Sequence, residues 1–153
     1  MQSKVNRMIE EHLKWMNDIT TGKMLVLKSG TNFSGCDFSN ECLVAAILSK
    51  AKITYAFFYN TDLSTAVLNG ADLQYSIFAK ANLFYAQFID ANMRETNLSG
   101  ADLTGATLYN TNLQNANLKN ANLSGANLFN ANLSGANLKN ANLSGANLLG
   151  TNL

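Results

Sequence analysis

Residues 121–150 read ANLSG ANLFN ANLSG ANLKN ANLSG ANLLG, and this stretch decides the fold. Every fifth residue is Leu, and the residue two before it is Ala. Working outward, the register holds back to Phe33 and forward to Leu153 without an insertion. Every step in that register carries a large apolar residue, among them Phe38, Leu43, Leu48, Ile53, Phe58, Phe78, Phe88 and Met93. The position two places earlier is Ala at most steps and Thr, Ser or Cys at nearly all the others; Glu41 alone breaks the rule.

A period of five matches neither the 3.6 of a helix nor the 2.0 of a plain strand. It fits a short extended segment plus a corner. The small and the large residue face one side of that segment, and the residue between them faces the other. This outward slot is mostly Asn or Asp, as at Asn32, Asp62, Asp72, Asn92 and Asn142. The remaining two residues turn the chain. The second of them is most often Gly or Asn, and only Gly or Asn from Gly100 to Gly150. Both tolerate the positive φ that a type II turn demands. Lys50, Tyr55, Tyr75, Lys80, Tyr85, Asp90 and Glu95 occupy the same slot earlier. Bulky side chains disfavour positive φ. The sequence therefore predicts type I-like turns in the early coils and type II turns in the late ones.

A chain that turns every fifth residue with one face inward winds into a solenoid. Phe38, Phe58 and Phe78 inside, with Tyr55/Tyr75 and Phe57/Ile77 outside, recur at every fourth step of the repeat. Four steps make four sides, so residues 31–153 form about six coils stacked at about 4.8 Å.

The AlaAspLeu triplets at 71–73 and 101–103, and AlaAsnLeu at 81–83 and at each step from 116–118 to 146–148, resemble the pentapeptide repeat family. That resemblance implies a right-handed quadrilateral β-helix. It implies no single function, since some members mimic DNA and protect gyrase while most are uncharacterised. Glu41 would point inward in this register, and a buried unpaired carboxylate is unfavourable. A local distortion, or a neutral or hydrogen-bonded Glu41, is expected there.

Ahead of the repeats, Val5, Met8, Ile9, His12, Leu13 and Met16 are spaced as one face of an amphipathic helix from about Ser3 to Asn17, with Ser3 as N-cap. Met24–Lys28 read as a strand leading into the first coil. Residues 1–30 thus form a cap, needed because a solenoid exposes its apolar interior at each end. Residues 9–16 also resemble the His-x-x-Trp leader of many family members. His12 and Trp15 are read as packed within the cap. At the other end the repeats run uncapped to Leu153, which suggests a homodimer through the C-terminal coil.

Charged residues make up only 14%, and the formal net charge is +1. No charge excess points to direct nucleic-acid or anionic-membrane binding. No apolar run is long enough for a membrane span, and residues 1–20 lack the apolar core of a secretory signal. Cys36 and Cys42 are read as free thiols in a reducing cytoplasm. With one His and two Cys the sequence holds no zinc set, and no other metal or cofactor site is expected. The lone His also restricts nucleophilic triads to the cap. Asp62, Asp72 and Asp102 read as solvated members of an Asn/Asp ladder. The chain is expected to be a non-enzyme.

Two outward apolar patches remain as candidate partner sites. Tyr55, Phe57, Tyr59, Tyr75 and Ile77 form one. Val44, Ile47, Val67, Phe84, Tyr85 and Ile89 form the other, on the opposite side. The late coils read as coated with Asn, Ser, Thr, Lys119 and Lys139. A protein-interaction scaffold is the leading reading. The alternative, a DNA-mimic protector of gyrase, is disfavoured. Residues 31–153 hold seven acids and six bases, with no acid after Asp102, whereas a phosphate mimic needs dense negative charge. Adsorption to ice or carbohydrate would need a regular Thr or aromatic grid, and the Thr residues are scattered. Leu103→Asp is expected to break the rod, and Asn122→Asp to be nearly neutral.

Overall fold

The computed structural model describes residues 1–18, 22–27 and 29–153. It is a four-sided β-solenoid capped by one helix, α1 (Gln2–Asn17). Parallel bridges join each outward residue to the one four steps on, from Asn32↔Lys52 to Asn132↔Asn152. Four five-residue steps therefore close one circuit.

The backbone accounting explains why the repeat has five residues of these types. At 102–106 the axis residue Leu103 donates its N–H to Asn122 O of the next coil (2.7 Å), and Gly105 donates to Ser124 O (2.9 Å). The outward residue Asp102 donates to Ala81 O of the preceding coil (3.0 Å), and the wall residue Ala106 closes the turn onto Leu103 O (3.0 Å). One N–H per step is left, that of the first turn residue. The outward side chain takes it: Thr104 N donates to Asp102 Oδ1 at 3.0 Å, and Ser124 N to Asn122 Oδ1 at 3.2 Å. Asn and Asp fill the outward slot because they accept from the backbone two residues on.

The second turn residue has positive φ at every step from Gly35 to Gly150, between 53° and 74°. The expected change of turn type in the early coils does not occur. Tyr55 (57°), Tyr75 (62°) and Tyr85 (53°) adopt the same conformation as the glycines. Left-handed backbone costs a non-Gly residue about 1–2 kcal/mol. The ladder outweighs that: Tyr55 N reaches Gln74 O at 2.9 Å and Tyr85 N reaches Thr104 O at 3.0 Å. A different turn in one coil would break its bonds to both neighbours.

The axis is dry. Phe33 and Phe38 and every axis residue onward to Leu133 are buried. Phe38, Phe58 and Phe78 stack nearly parallel with centroids 4.8 and 4.6 Å apart, which is the strand spacing itself. Register passes through Glu41 without distortion, with Glu41 N on Phe38 O (3.3 Å) and Asp62 N on Glu41 O (2.9 Å). Glu41 lies in the first coil and stays partly exposed, so no buried charge arises.

The cap differs from expectation in two details. α1 begins at Gln2 with Met1 as N-cap and no side-chain cap bond, so Ser3 sits inside the first turn. The Gln2 side chain is tied to the first coil, and the helix begins at that tie. The lead-in segment Leu25–Leu27 pairs in parallel through Val26↔Ile47, a separation one position longer than the circuit of the coils. Leu27 is therefore buried one position ahead of the register extrapolated from Phe33. Lys28, the expected end of the strand, lies outside the described residues. Val5 and Ile9 of α1 join the core cluster with Phe33 and Phe38, and the Lys4 ammonium stands 6.0 Å from the Phe33 ring.

Candidate functional site

Outward Asn and Asp residues have a structural task, so an outward residue of another kind gives that task up. Phe57 and Ile77 occupy the slot in successive coils and pair through a parallel bridge. Neither can accept from its turn. The N–H groups of Tyr59 and Ala79 consequently find no acceptor among the described residues. Each missing bond forgoes about 1 kcal/mol.

The first sequence-predicted patch is assembled around that pair. Tyr55 and Tyr75 stand at the preceding corner, stacked with centroids 4.7 Å apart. Tyr59 stands at the following corner, with the Lys80 ammonium 5.6 Å from its ring centroid. Tyr55 is 60% and Phe57 44% exposed, while Tyr75 and Ile77 are half-buried. All five residues lie within two adjacent coils. Aromatic side chains fixed by stacking lose little entropy on contact, which suits them to anchoring a partner.

The residues of the second patch lie in three places. Ile47 and Val67 form a half-buried ladder on the side opposite Phe57 and Ile77, which Val26 extends. Phe84 and Tyr85 meet edge to face at 4.5 Å on an adjacent corner. Tyr85 lies over Gly105, where a Cβ would come 2.8 Å from its ring. Val44 shares a column with Phe84, with Ser64 between them; its carbonyl faces His12 Nε2 without reaching hydrogen-bond geometry.

The late coils are not uniformly polar. Tyr109 and Phe129 stack at 5.4 Å with an interplanar angle of 2°, and Leu149 one coil further is 69% exposed. Ile89, Tyr109, Phe129 and Leu149 recur once per circuit in the first turn slot, a signal visible in the sequence once the four-sided geometry is imposed.

Asp62, Asp72 and Asp102 serve their own turns. Asp62 Oδ1 accepts from Ser64 N (2.9 Å) and Asn82 Nδ2 (3.1 Å). Asp72 Oδ1 accepts from Gln74 Nε2 (2.9 Å). Asp102 Oδ1 accepts from Thr104 Oγ1 (2.5 Å). Among the described residues no His, Cys, Asp and Glu cluster has the size of a metal site, and no helix is long and apolar enough to cross a membrane. His12 is fully buried. Its Nδ1 accepts from Leu25 N (3.0 Å) and its ring stacks on Trp15 at 5.6 Å, as the packed-cap reading expects. Burial lowers the His12 pKa and raises that of the Cys36 thiol. The Lys14 ammonium hydrogen-bonded to Glu11 lowers that carboxyl.

The chain belongs to the pentapeptide repeat family: the family's repeats match residues 46–84, 81–120 and 121–153. A pentapeptide repeat protein from the thylakoid lumen of Arabidopsis thaliana is 32% identical, with a TM-score of 0.52. That alignment covers 65% of this chain and 66% of the other, so the chain spans just under two thirds of its relative's length. The pentapeptide repeat protein Rfr23 from the cyanobacterium Cyanothece 51142 is 26% identical, covering 94% of this chain and 98% of that one at a TM-score of 0.48. A trypsin-treated variant of QnrB1, a plasmid-mediated fluoroquinolone resistance protein, shares the fold at a TM-score of 0.65 and 16% identity, over 80% of this chain and 74% of that one. No curated protein sequence matches the chain.

Proposed function

We propose that the chain is a non-catalytic protein-interaction scaffold, a right-handed rod of about six coils whose Tyr55, Phe57, Tyr59, Tyr75 and Ile77 dock a partner protein. One observation carries this reading: Phe57 and Ile77 displace the turn-satisfying Asn in two adjacent coils, as Ile47 and Val67 do on the opposite side, and beside Phe57 and Ile77 stand the stacked rings of Tyr55 and Tyr75. A local rule broken without a local gain is the mark of a site kept for something outside the fold. The stacked tyrosines supply the rigid apolar area such a contact needs.

The test compares wild type with Tyr55→Ser/Tyr75→Ser and with the far-side control Asn127→Ser. Proteins retained on each are identified by mass spectrometry, and the complex is rebuilt from purified components. A partner lost only with the tyrosine variant supports the reading. A partner set identical for all three proteins overturns it.

Gyrase protection, known for the family's DNA mimics, is the weaker reading. The fold likeness to QnrB1 supports the rod but not the charge, because the coils carry seven acids against six bases. A supercoiling assay decides it: relief of fluoroquinolone inhibition at micromolar protein would revive mimicry.

A further inference from the structure

We propose that the groove between α1 and the lead-in segment takes an extended acidic peptide, which adds as a strand to the free edge at Val26.

In every interior coil the outward residue bonds to the preceding circuit through both its N–H and its C=O. Val67, for example, donates N–H to Ala46 O at 2.9 Å and accepts from Leu48 N at 2.8 Å. Val26 occupies the equivalent place in the lead-in. Its neighbours are committed to the first coil, with Leu27 N on Ile47 O (2.7 Å) and Ile47 N on Leu25 O (2.8 Å). The N–H and C=O of Val26 itself have no partner among the described residues. The residue is 47% exposed between buried Leu25 and Leu27. An unpaired donor and acceptor on extended backbone form a template for a further strand.

The edge faces a groove of about 450 Å³, within the range of sites that hold ligands. One wall is a single stripe of α1, formed by Lys4, Arg7, Met8 and Glu11, and the other runs from Lys23 to Val26. Two bonds fix the walls: Lys23 N on Glu11 O and Leu25 N on His12 Nδ1, each 3.0 Å. The site is therefore formed before any ligand arrives.

The charge selects the occupant. Lys4, Arg7 and Lys23 line the groove against one acid, Glu11, already held by Lys14 at 2.9 Å. The excess is local: residues 1–30 hold five bases and three acids, whereas residues 31–153 hold six and seven. Met8, Met24, Leu25 and Val26 supply apolar contact between the cations. A peptide that alternates acidic and apolar side chains meets all three features. The sugar-phosphate backbone of a nucleic acid has no N–H to pair with the Val26 carbonyl.

The probe is an acetylated pentapeptide alternating glutamate and valine, titrated into the full chain at low salt. Binding is read by fluorescence anisotropy and by the Val26 amide in 15N spectra. The expected result is a saturable shift of that amide and an affinity at least tenfold weaker for Lys4→Glu/Lys23→Glu. An N-methylated copy of the peptide, tested on unmodified protein, should also bind at least tenfold more weakly. No Val26 shift at millimolar peptide overturns the proposal. Equal binding of the N-methylated copy, or of a lysine–valine peptide, overturns it too, since strand pairing or charge would then play no part.

Discussion

The side-chain amide of Gln2 stands in for a missing strand against Asp37. Gln2 Nε2 donates to Asp37 O at 2.7 Å, and Asp37 N donates to Gln2 Oε1 at 2.9 Å. In the coils above, these are the two bonds an outward residue makes with the preceding circuit. One side chain thus terminates one edge of the solenoid and fastens the cap. Gln2→Ala removes both bonds at an exposed site, so urea denaturation should show about 1 kcal/mol lost. Gln2→Glu should not recover it, because a carboxylate cannot donate to the Asp37 carbonyl. Full stability in the Glu variant would show that the bond from Gln2 Nε2 to Asp37 O contributes nothing.

Gly22 fixes how the chain leaves α1. Its φ is 66°, and a Cβ there would strike the Glu11 carbonyl, the Lys14 Cβ and the Trp15 amide. Both backbone and helix would have to move. Gly22→Ala should lower stability by about 2 kcal/mol or more and weaken the far-ultraviolet helix signal. Gly125→Ala, where a Cβ meets nothing within 4 Å, should lose only the positive-φ preference, about 1 kcal/mol. Comparable melting temperatures for the two variants would remove the steric argument.

The near-neutrality expected of Asn122→Asp does not survive the geometry. Asn122 Nδ2 donates to Thr104 Oγ1 at 2.8 Å and to Asp102 Oδ1 at 3.4 Å. Asp at 122 would lose both bonds and set two carboxylates on adjacent coils, about 4.8 Å apart. Like charges facing each other across strands destabilise, by about 1 kcal/mol here. The new carboxyl would have a raised pKa. Its penalty is full above that folded value and vanishes as the pH falls below about 4. Asn117→Asp, whose partners are Asn97 and Asn137, lacks the facing acid and should show little of this pH dependence. Leu103→Asp, on the dry axis, should abolish cooperative unfolding altogether.

The five-residue period was legible because every step reuses it, and the four sides because Phe38, Phe58 and Phe78 repeat the circuit. The first aromatic patch was legible for the same reason, as Tyr55/Tyr75 and Phe57/Ile77 are each one circuit apart. The turn conformation was not. The aversion of Tyr55 or Lys50 for positive φ is local, whereas the bonds from Tyr55 N to Gln74 O and Lys50 N to Asn69 O join different coils. Glu41 misled because inward-facing was equated with buried, although the first coil has no coil beneath it. The Tyr109–Phe129–Leu149 ridge was hidden inside an Asn-rich stretch, where recurrence once per circuit has meaning only after the chain is wound. The free edge at Val26 depends on a one-position shift in the lead-in that no periodicity announces.

His12 makes the cap sensitive to acid. The ring is fully buried, with Nδ1 accepting from Leu25 N. Burial holds its pKa below the ordinary value near 6.5. Above that pH both folded and unfolded chains carry neutral imidazole, and the group adds no pH dependence. As pH falls further, the unfolded chain takes up a proton that the folded chain refuses. Stability then drops by up to about 1.4 kcal/mol per pH unit until the folded value is reached. Melting temperatures measured from pH 7.5 to 5, above the main carboxylate range, should fall for wild type. They should stay nearly level for His12→Gln, whose amide oxygen can still accept from Leu25 N but binds no proton. Parallel curves for the two proteins would mean that His12 is protonated without leaving its place.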